Sequence, residues 1–448
     1  MKKSFHKKIF TLPTSSVAGF ILLVLLCAIS SGEEVQNAQK NIPLLTMSQA
    51  ESIAIAQNTD VLSAKAQYEK TAAAYLSAWS SFLPSASASA SWRRYDREMI
   101  SFRNDEMFYS KDSYSLGLSA SLPIFSGGKD FLSLKQMGIS RDVAFISYLD
   151  KISQVSADVI SYYLAVVQSS MEIEIAQQSL DRALEEQKIV DEKLSLGSAS
   201  EVEASKMRVQ VAQKKLALIQ AQNNLQRNRE KLCAKLNFPL DTSFVVDTTL
   251  SPPPVVKIPP LTEFLSDIEN RTVKQAKLNL RIARLERTSS YLNYLPRLSL
   301  SANWSWNGAD FPDNFSSIAD EGSFSYGLSL SWTLFSGTSR IGEIKSASAN
   351  FLQNSATLDN TTILAEQNVR EAYRTMTEAA ASFELSKAQV EDAKLTLSAT
   401  KKRYELGSAT LLELLDAELS LEQAQLQKIS AIVGYYRARA QLQYLTGK

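Results

Sequence analysis

The sequence predicts a mainly α protein with a β-barrel part, built as two copies of one plan. Three observations predict it. Leu-Gly-Ser-Ala occurs at 196–199 and again at 406–409, each copy between long glycine-poor runs. A glycine there reads as the left-handed residue that ends one helix and lets the chain reverse into the next. The row Ile152, Val155, Val159, Tyr162, Val166, Ser169, Ile173, Ala176, Leu180, Ala183, Gln187, Val190 and Leu194 alternates spacings of three and four, interrupted only by Ser169 and Gln187. Such a heptad row demands a partner helix. Finally, four stretches alternate with period two, the mark of half-buried strands.

The N-terminus stands apart. Residues 1–8 carry four lysines, 17–29 form an apolar run, and small residues follow. This is the pattern of a secretory signal peptide over residues 1–30. The run has only about 13 residues, too short for a membrane anchor. Cys27 is preceded by Leu26, where lipoprotein signals want a small residue, and its lipidation stays open.

Removing the signal leaves 44 basic and 47 acidic residues, net −3. That balance offers no surplus to hold nucleic acid. The only histidine, His6, lies in the signal, and Cys233 is the one cysteine beyond it. Histidine-based catalysis and the usual zinc sites are thereby excluded, and no phosphate loop or dinucleotide fingerprint occurs. The expectation is a non-enzyme with no cofactor and no metal.

In order, residues 46–83 read as one helix of about 38 residues, stopped by Pro84. A first β-hairpin spans about 85–124, its strands (85–92 and 113–122) separated by a charged loop at 93–112. A helix from about 129 to 196 reaches roughly 100 Å at 1.5 Å per residue. The first tip reverses it into a helix over about 200–236. The first and return helices, stacked end to end, match the central one. A proline-rich extended linker occupies 239–260. The plan then repeats: a helix over 261–295, a hairpin over about 297–334 with an acidic loop, a long helix to the second tip, and a last helix from about 411 to 444. Repeat one covers about 45–238 and repeat two about 261–448.

Strands of about ten residues with one apolar and one serine face suit an outer-membrane barrel. Trp92, Trp304, Trp306 and Trp332, with Phe82, Phe125 and Phe335 at the helix-bearing ends, resemble two aromatic girdles. An open sheet edge in lipid leaves backbone groups unpaired, and four strands cannot close, so copies must combine. Serine-lined inner faces favour a wide wet lumen and three chains. Twelve helical strands would then form a periplasmic tube.

The chain resembles the TolC-like outer-membrane efflux proteins. The resemblance is carried by L-T-M-S-Q-A-E-S-I-A-I-A-Q-N at 45–58, F-L-P-S at 82–85, I-F-S-G-G at 124–128 and L-F-S-G at 334–337. To these add R-Y-E-L-G-S-A-T-L-L-E-L-L-D-A-E at 403–418 and A-Q-L-Q-Y-L-T-G at 440–447. It departs at Thr59, where the family commonly has proline. The resemblance implies a homotrimer in outer-membrane lipid, a twelve-stranded barrel, a twelve-helix tube, and partnership with a periplasmic adaptor and an inner-membrane transporter. It implies adaptor docking at Leu196, Gly197, Ser198, Leu406, Gly407 and Ser408. It also implies an entrance constriction at Glu413 and Asp416, with Tyr404 and Glu201 nearby. The family's lock often includes an arginine shortly after the second glycine, where Ala409 and Thr410 stand here.

Glu413 and Asp416 share a helix face by their spacing. Threefold symmetry would gather six carboxylates that attract cations; the plainer alternative is that first-turn acids complement the helix dipole. For the whole chain the expectation is an exit duct of a tripartite efflux or type I secretion system. The rival is a non-transporting structural or adhesive coiled coil. The cargo, whether drug, metal or protein, stays open.

Overall fold

The structure, a computed structural model, describes residues 44–103, 106–242, 244–253, 258–265, 270–309, 318 and 321–447. The signal segment lies outside the described residues. The elements are β1 (Leu44–Leu45), α1 (Met47–Gln57), α2 (Thr59–Ala78), β2 (Ser85–Arg103), β3 (Glu106–Phe125), α3 (Lys129–Ser195) and α4 (Glu201–Leu236). After them come β4 (Val245–Val246), α5 (Leu261–Leu265), α6 (Arg271–Tyr291), β5 (Arg297–Gly308), β6 (Ser323–Ser331), α7 (Ser339–Glu405) and α8 (Leu411–Thr446). Helices α3 and α7 each have 67 residues, and α4 and α8 each have 36.

The single helix expected over 46–83 is broken. Asn58 takes an extended conformation (φ −65°, ψ 130°), and its side chain accepts from the Asp60 N–H, starting α2. Asn58 Nδ2 also donates to the Lys235 carbonyl at 2.9 Å, tying the break to the last turn of α4. An asparagine side chain that competes for backbone groups favours a cap over a helix interior. The expected helix over 261–295 is broken in the same way, with Asn270 extended and its side chain accepting from the Val273 N–H. Short 3₁₀ turns, Trp79–Phe82 and Leu292–Tyr294, then lead into the strands.

The four long strands form one antiparallel sheet in the order β2-β3-β5-β6. The charged stretch expected as a loop at 93–112 is strand over 93–103 and 106–112. Pairing resumes beyond an irregularity between Arg94 and Met99 and runs to Arg103 opposite Glu106. A ladder satisfies the backbone whatever the side chains, so charges outside the apolar band do not end it.

Register carries one face across all four strands. Ala88 lies opposite Leu118, Leu118 opposite Trp304, and Trp304 opposite Phe324. On the other face Ser87 lies opposite Ser119, Ser119 opposite Asn303, and Asn303 opposite Ser325. Two serine pairs bridge the strands there, Ser87 to Ser119 and Ser91 to Ser115, each at 2.7 Å. The girdle expectation needs two corrections. Trp332 follows Ser331, which pairs with Arg297 at the helix-bearing end, and its indole donates to the Tyr294 carbonyl at 2.9 Å. Trp306 is only 3% exposed and donates to Glu321 at 3.1 Å. Beside it Gly322 crosses the Trp304 indole, where a Cβ would sit 2.3 Å from Nε1. A side chain at 322 would clash with that ring.

Among the described residues no helix is long and apolar enough to cross a membrane. Instead α3 packs against α1, α2, α4, α6 and α8, and α7 against α6 and α8. The main core lies where the short helices meet, around Val155, Val159, Tyr163, Val166, Leu232 and Leu236. The Tyr163 hydroxyl donates to the Leu45 carbonyl at 2.9 Å and accepts from the Asp247 N–H at 3.1 Å. That contact clamps β1 and β4, which pair in parallel. The proline-rich segment is thus stitched to the core through β4 and buried Phe244.

Candidate functional site: the paired hairpin tips

Both tips close by the same backbone geometry. At the first, Gly197 (φ +74°) donates to the Leu194 carbonyl at 3.0 Å and Ser198 to the Lys193 carbonyl at 2.7 Å. At the second, Gly407 (φ +76°) donates to Tyr404 at 3.1 Å and Ser408 to Arg403 at 2.8 Å. These are Schellman motifs, which satisfy the last carbonyls of a helix and require the left-handed residue. Nothing lies within 4 Å of a Cβ built on either glycine, so the surface around both is open. Leu196 and Leu406 project beside them, 80% and 83% exposed. Two leucines left in water at a chain reversal are an unpartnered apolar contact surface.

The next helices start on capped turns. Ser200 accepts from the Glu203 N–H, and Glu203 accepts from the Ser200 N–H at 2.9 Å, a complete capping box. Thr410 accepts from the Glu413 N–H at 3.2 Å. The Glu413 carboxylate leaves its cap and lies 3.6 Å from Arg403.

The two tips sit side by side. Val190, Ala204 and Met207 of the first hairpin share one cluster with Tyr404, Leu411 and Leu414 of the second. That cluster sets the first tip, with the expected docking residues Leu196, Gly197 and Ser198, beside the second, with Leu406, Gly407 and Ser408. Tyr404 does not line an open space within the chain: it is 8% exposed. Lys193 caps it, with Nζ 4.1 Å from the ring centroid and 3.2 Å from the Tyr404 carbonyl oxygen. Burial, then the nearby Glu203 and Glu186, pushes its hydroxyl pKa up. Glu413 and Asp416 are exposed. Glu201 is exposed and paired with Arg208 at 2.8 Å.

Sequence reasoning missed Arg403, which stands before the glycine rather than after it. It also missed a polar cluster about 15 Å behind the tips at 1.5 Å per residue, where Glu186 of α3 meets Glu418 of α8. The sequence signal was faint: an interruption of the heptad row one residue away, at Gln187.

A family model described as outer membrane efflux protein matches residues 51–237 and 266–448. The chain belongs to that family. Outer membrane protein TolC of Salmonella enteritidis is 25% identical over 190 residues, 41% of this chain and 39% of that protein. The alkaline protease secretion protein AprF of Pseudomonas aeruginosa is 26% identical over 179 residues, 40% of this chain and 37% of that protein. The chain therefore spans under two fifths of the length of these curated relatives. The CmeC outer membrane channel of Campylobacter jejuni shares the fold, with TM-score 0.77 at 18% identity over 90% of this chain and 85% of that one. Membership in the family places the chain in the bacterial outer membrane.

Proposed function

We propose that three copies of the chain form the exit duct of a tripartite system, conducting cargo passively from an inner-membrane transporter through a periplasmic adaptor to the exterior. The observation that carries this reading is the sheet. Its apolar and serine faces are continuous across four strands, yet among the described residues β2 and β6 are both open edges. In lipid each unpaired edge group costs several kcal/mol, so β6 of one copy must meet β2 of the next. Two copies give eight strands and three give twelve. A serine-lined face suits the larger, water-filled barrel.

The equal lengths of α3 and α7, and of α4 and α8, support an internal repeat with the proline-rich segment as its joint. The signal peptide at 1–30 belongs to the same proposal. The exposed tip leucines and unobstructed glycines support adaptor docking at Leu196, Gly197, Ser198, Leu406, Gly407 and Ser408. Exposed Glu413 and Asp416 support an entrance ring, with Tyr404 a buried support behind it and Glu201 on its rim. The relatives' names include both a general outer-membrane protein and a protease secretion protein, and the cargo stays open between drug, metal and protein.

Bilayer recording tests the reading. The protein should open cation-preferring pores, and Glu413→Ala with Asp416→Ala should lower that preference. An absence of pores contradicts the duct; unchanged preference in the double variant contradicts the ring.

A further inference from the structure

We infer that Glu186 and Glu418 share one proton, and that this proton holds the two hairpins together behind their tips, so that its loss parts the seam. The inference concerns contacts inside one chain, and its failure would leave the duct reading untouched.

Both side chains are buried, 3% and 4% exposed, on helices from different hairpins. Their carboxyl groups are in hydrogen-bonding contact. Two carboxylates offer no donor between them, and as such they leave Glu186 Oε2 and Glu418 Oε1 buried without partners. A proton on one of the two supplies the missing donor, and an unsatisfied buried pair is costly enough to demand it.

The surroundings do not neutralise two charges. From α3, Arg182 Nε lies 3.7 Å from Glu418 Oε1 without a hydrogen bond, while its Nη2 is spent on Ser179 at 3.0 Å. From α4, Lys214 pairs with Glu422 of α8. From α7, Lys401 pairs with Glu185 at 3.4 Å. Tyr404 of α7 also faces Glu186, as a neutral phenol. The cations at hand are thus largely committed elsewhere. Burial first, then Glu418, raises the Glu186 pKa to about 8; burial raises that of Glu418.

The sign follows. An acid whose pKa is raised in the closed seam binds its proton more tightly there than when the seam is open. The closed seam is therefore fully favoured below the ordinary carboxyl range, and loses stability as pH rises through about 8. The only histidine is His6, near the N-terminus. No histidine lies in the rest of the chain, so no imidazole titrates at the seam in the window where the pair would.

The experiment is amide hydrogen exchange on the full chain in detergent micelles, corrected for intrinsic rates, from about pH 5.5 to about pH 8.5. Protection over 182–193 and 411–422 should fall by roughly tenfold or more, while protection around Val159 and Leu232 stays level. Glu186→Gln places a permanent donor against Glu418 and should hold protection high throughout. Glu418→Gln should do the same, and decides the matter alone if the first variant does not fold. Protection that is flat with pH in the native protein, or a native-like fall retained in the amide variants that fold, overturns the inference.

Discussion

At the first tip the acid in the third helical position, Glu203, turns back and closes the box with Ser200. At the second tip Glu413 holds the same position, but its carboxylate points away and meets Arg403 across an exposed surface. The two Schellman bonds are otherwise the same at both reversals. One backbone motif therefore serves two ends: the first tip spends its acid on its own start, and the second keeps its acids, Glu413 and Asp416, available to solvent. The second is the better candidate for the entrance.

The largest test of that comparison removes what the tips share. Leu414 is buried among residues of both hairpins, so Leu414→Ala should cost about 2–5 kcal/mol. Hydrogen exchange should then rise at both tips; loosening confined to the second would mean that they stand independently. Next come the glycines. Gly197→Val and Gly407→Val should each cost roughly 1–2 kcal/mol, since both need a left-handed backbone. Added bulk at Gly407 is expected to abolish adaptor cross-linking while trimers persist, and normal cross-linking there would count against docking at the second tip. Smaller still is the cap. Ser200→Ala should cost about 1 kcal/mol and Thr410→Ala less, because only the first cap is reciprocated; thermal melts that rank them oppositely would remove the distinction. Smallest is Glu413→Gln, worth under about 0.5 kcal/mol because its ion pair is exposed. Its effect should appear in cation preference instead.

Much of this architecture could be read from the residues. Glycine after a heptad run announced the reversals, and serine alternation announced the sheet and its two faces. The misses share a cause: each depended on what lay across from the residue. Asn58 and Asn270 sit inside stretches of good helix formers, and the break at Asn58 is fixed partly by the Lys235 carbonyl, far away in the chain. Strands β2 and β3 run on through charged residues because each supplies the other's ladder. The single heptad row captured Val155, Val159, Val166, Leu180 and Val190. It could not show a second seam through Leu164, Ile175, Ser179 and Glu186, which exists because α8 joins α4 against α3. The tip residues were legible for the same reason that the hairpins were. Tyr404 was legible as a neighbour of the tip but not as a buried one, since Lys193 covers it from the other hairpin.

We propose that the open sheet edges make copies of the chain combine, and that the serine-lined face sets their number at three. The mass of the detergent-solubilised particle, measured by native mass spectrometry before any heating, tests it most directly. A particle of three chains, stable until boiled, is the predicted result. A particle of one or two chains would contradict the account.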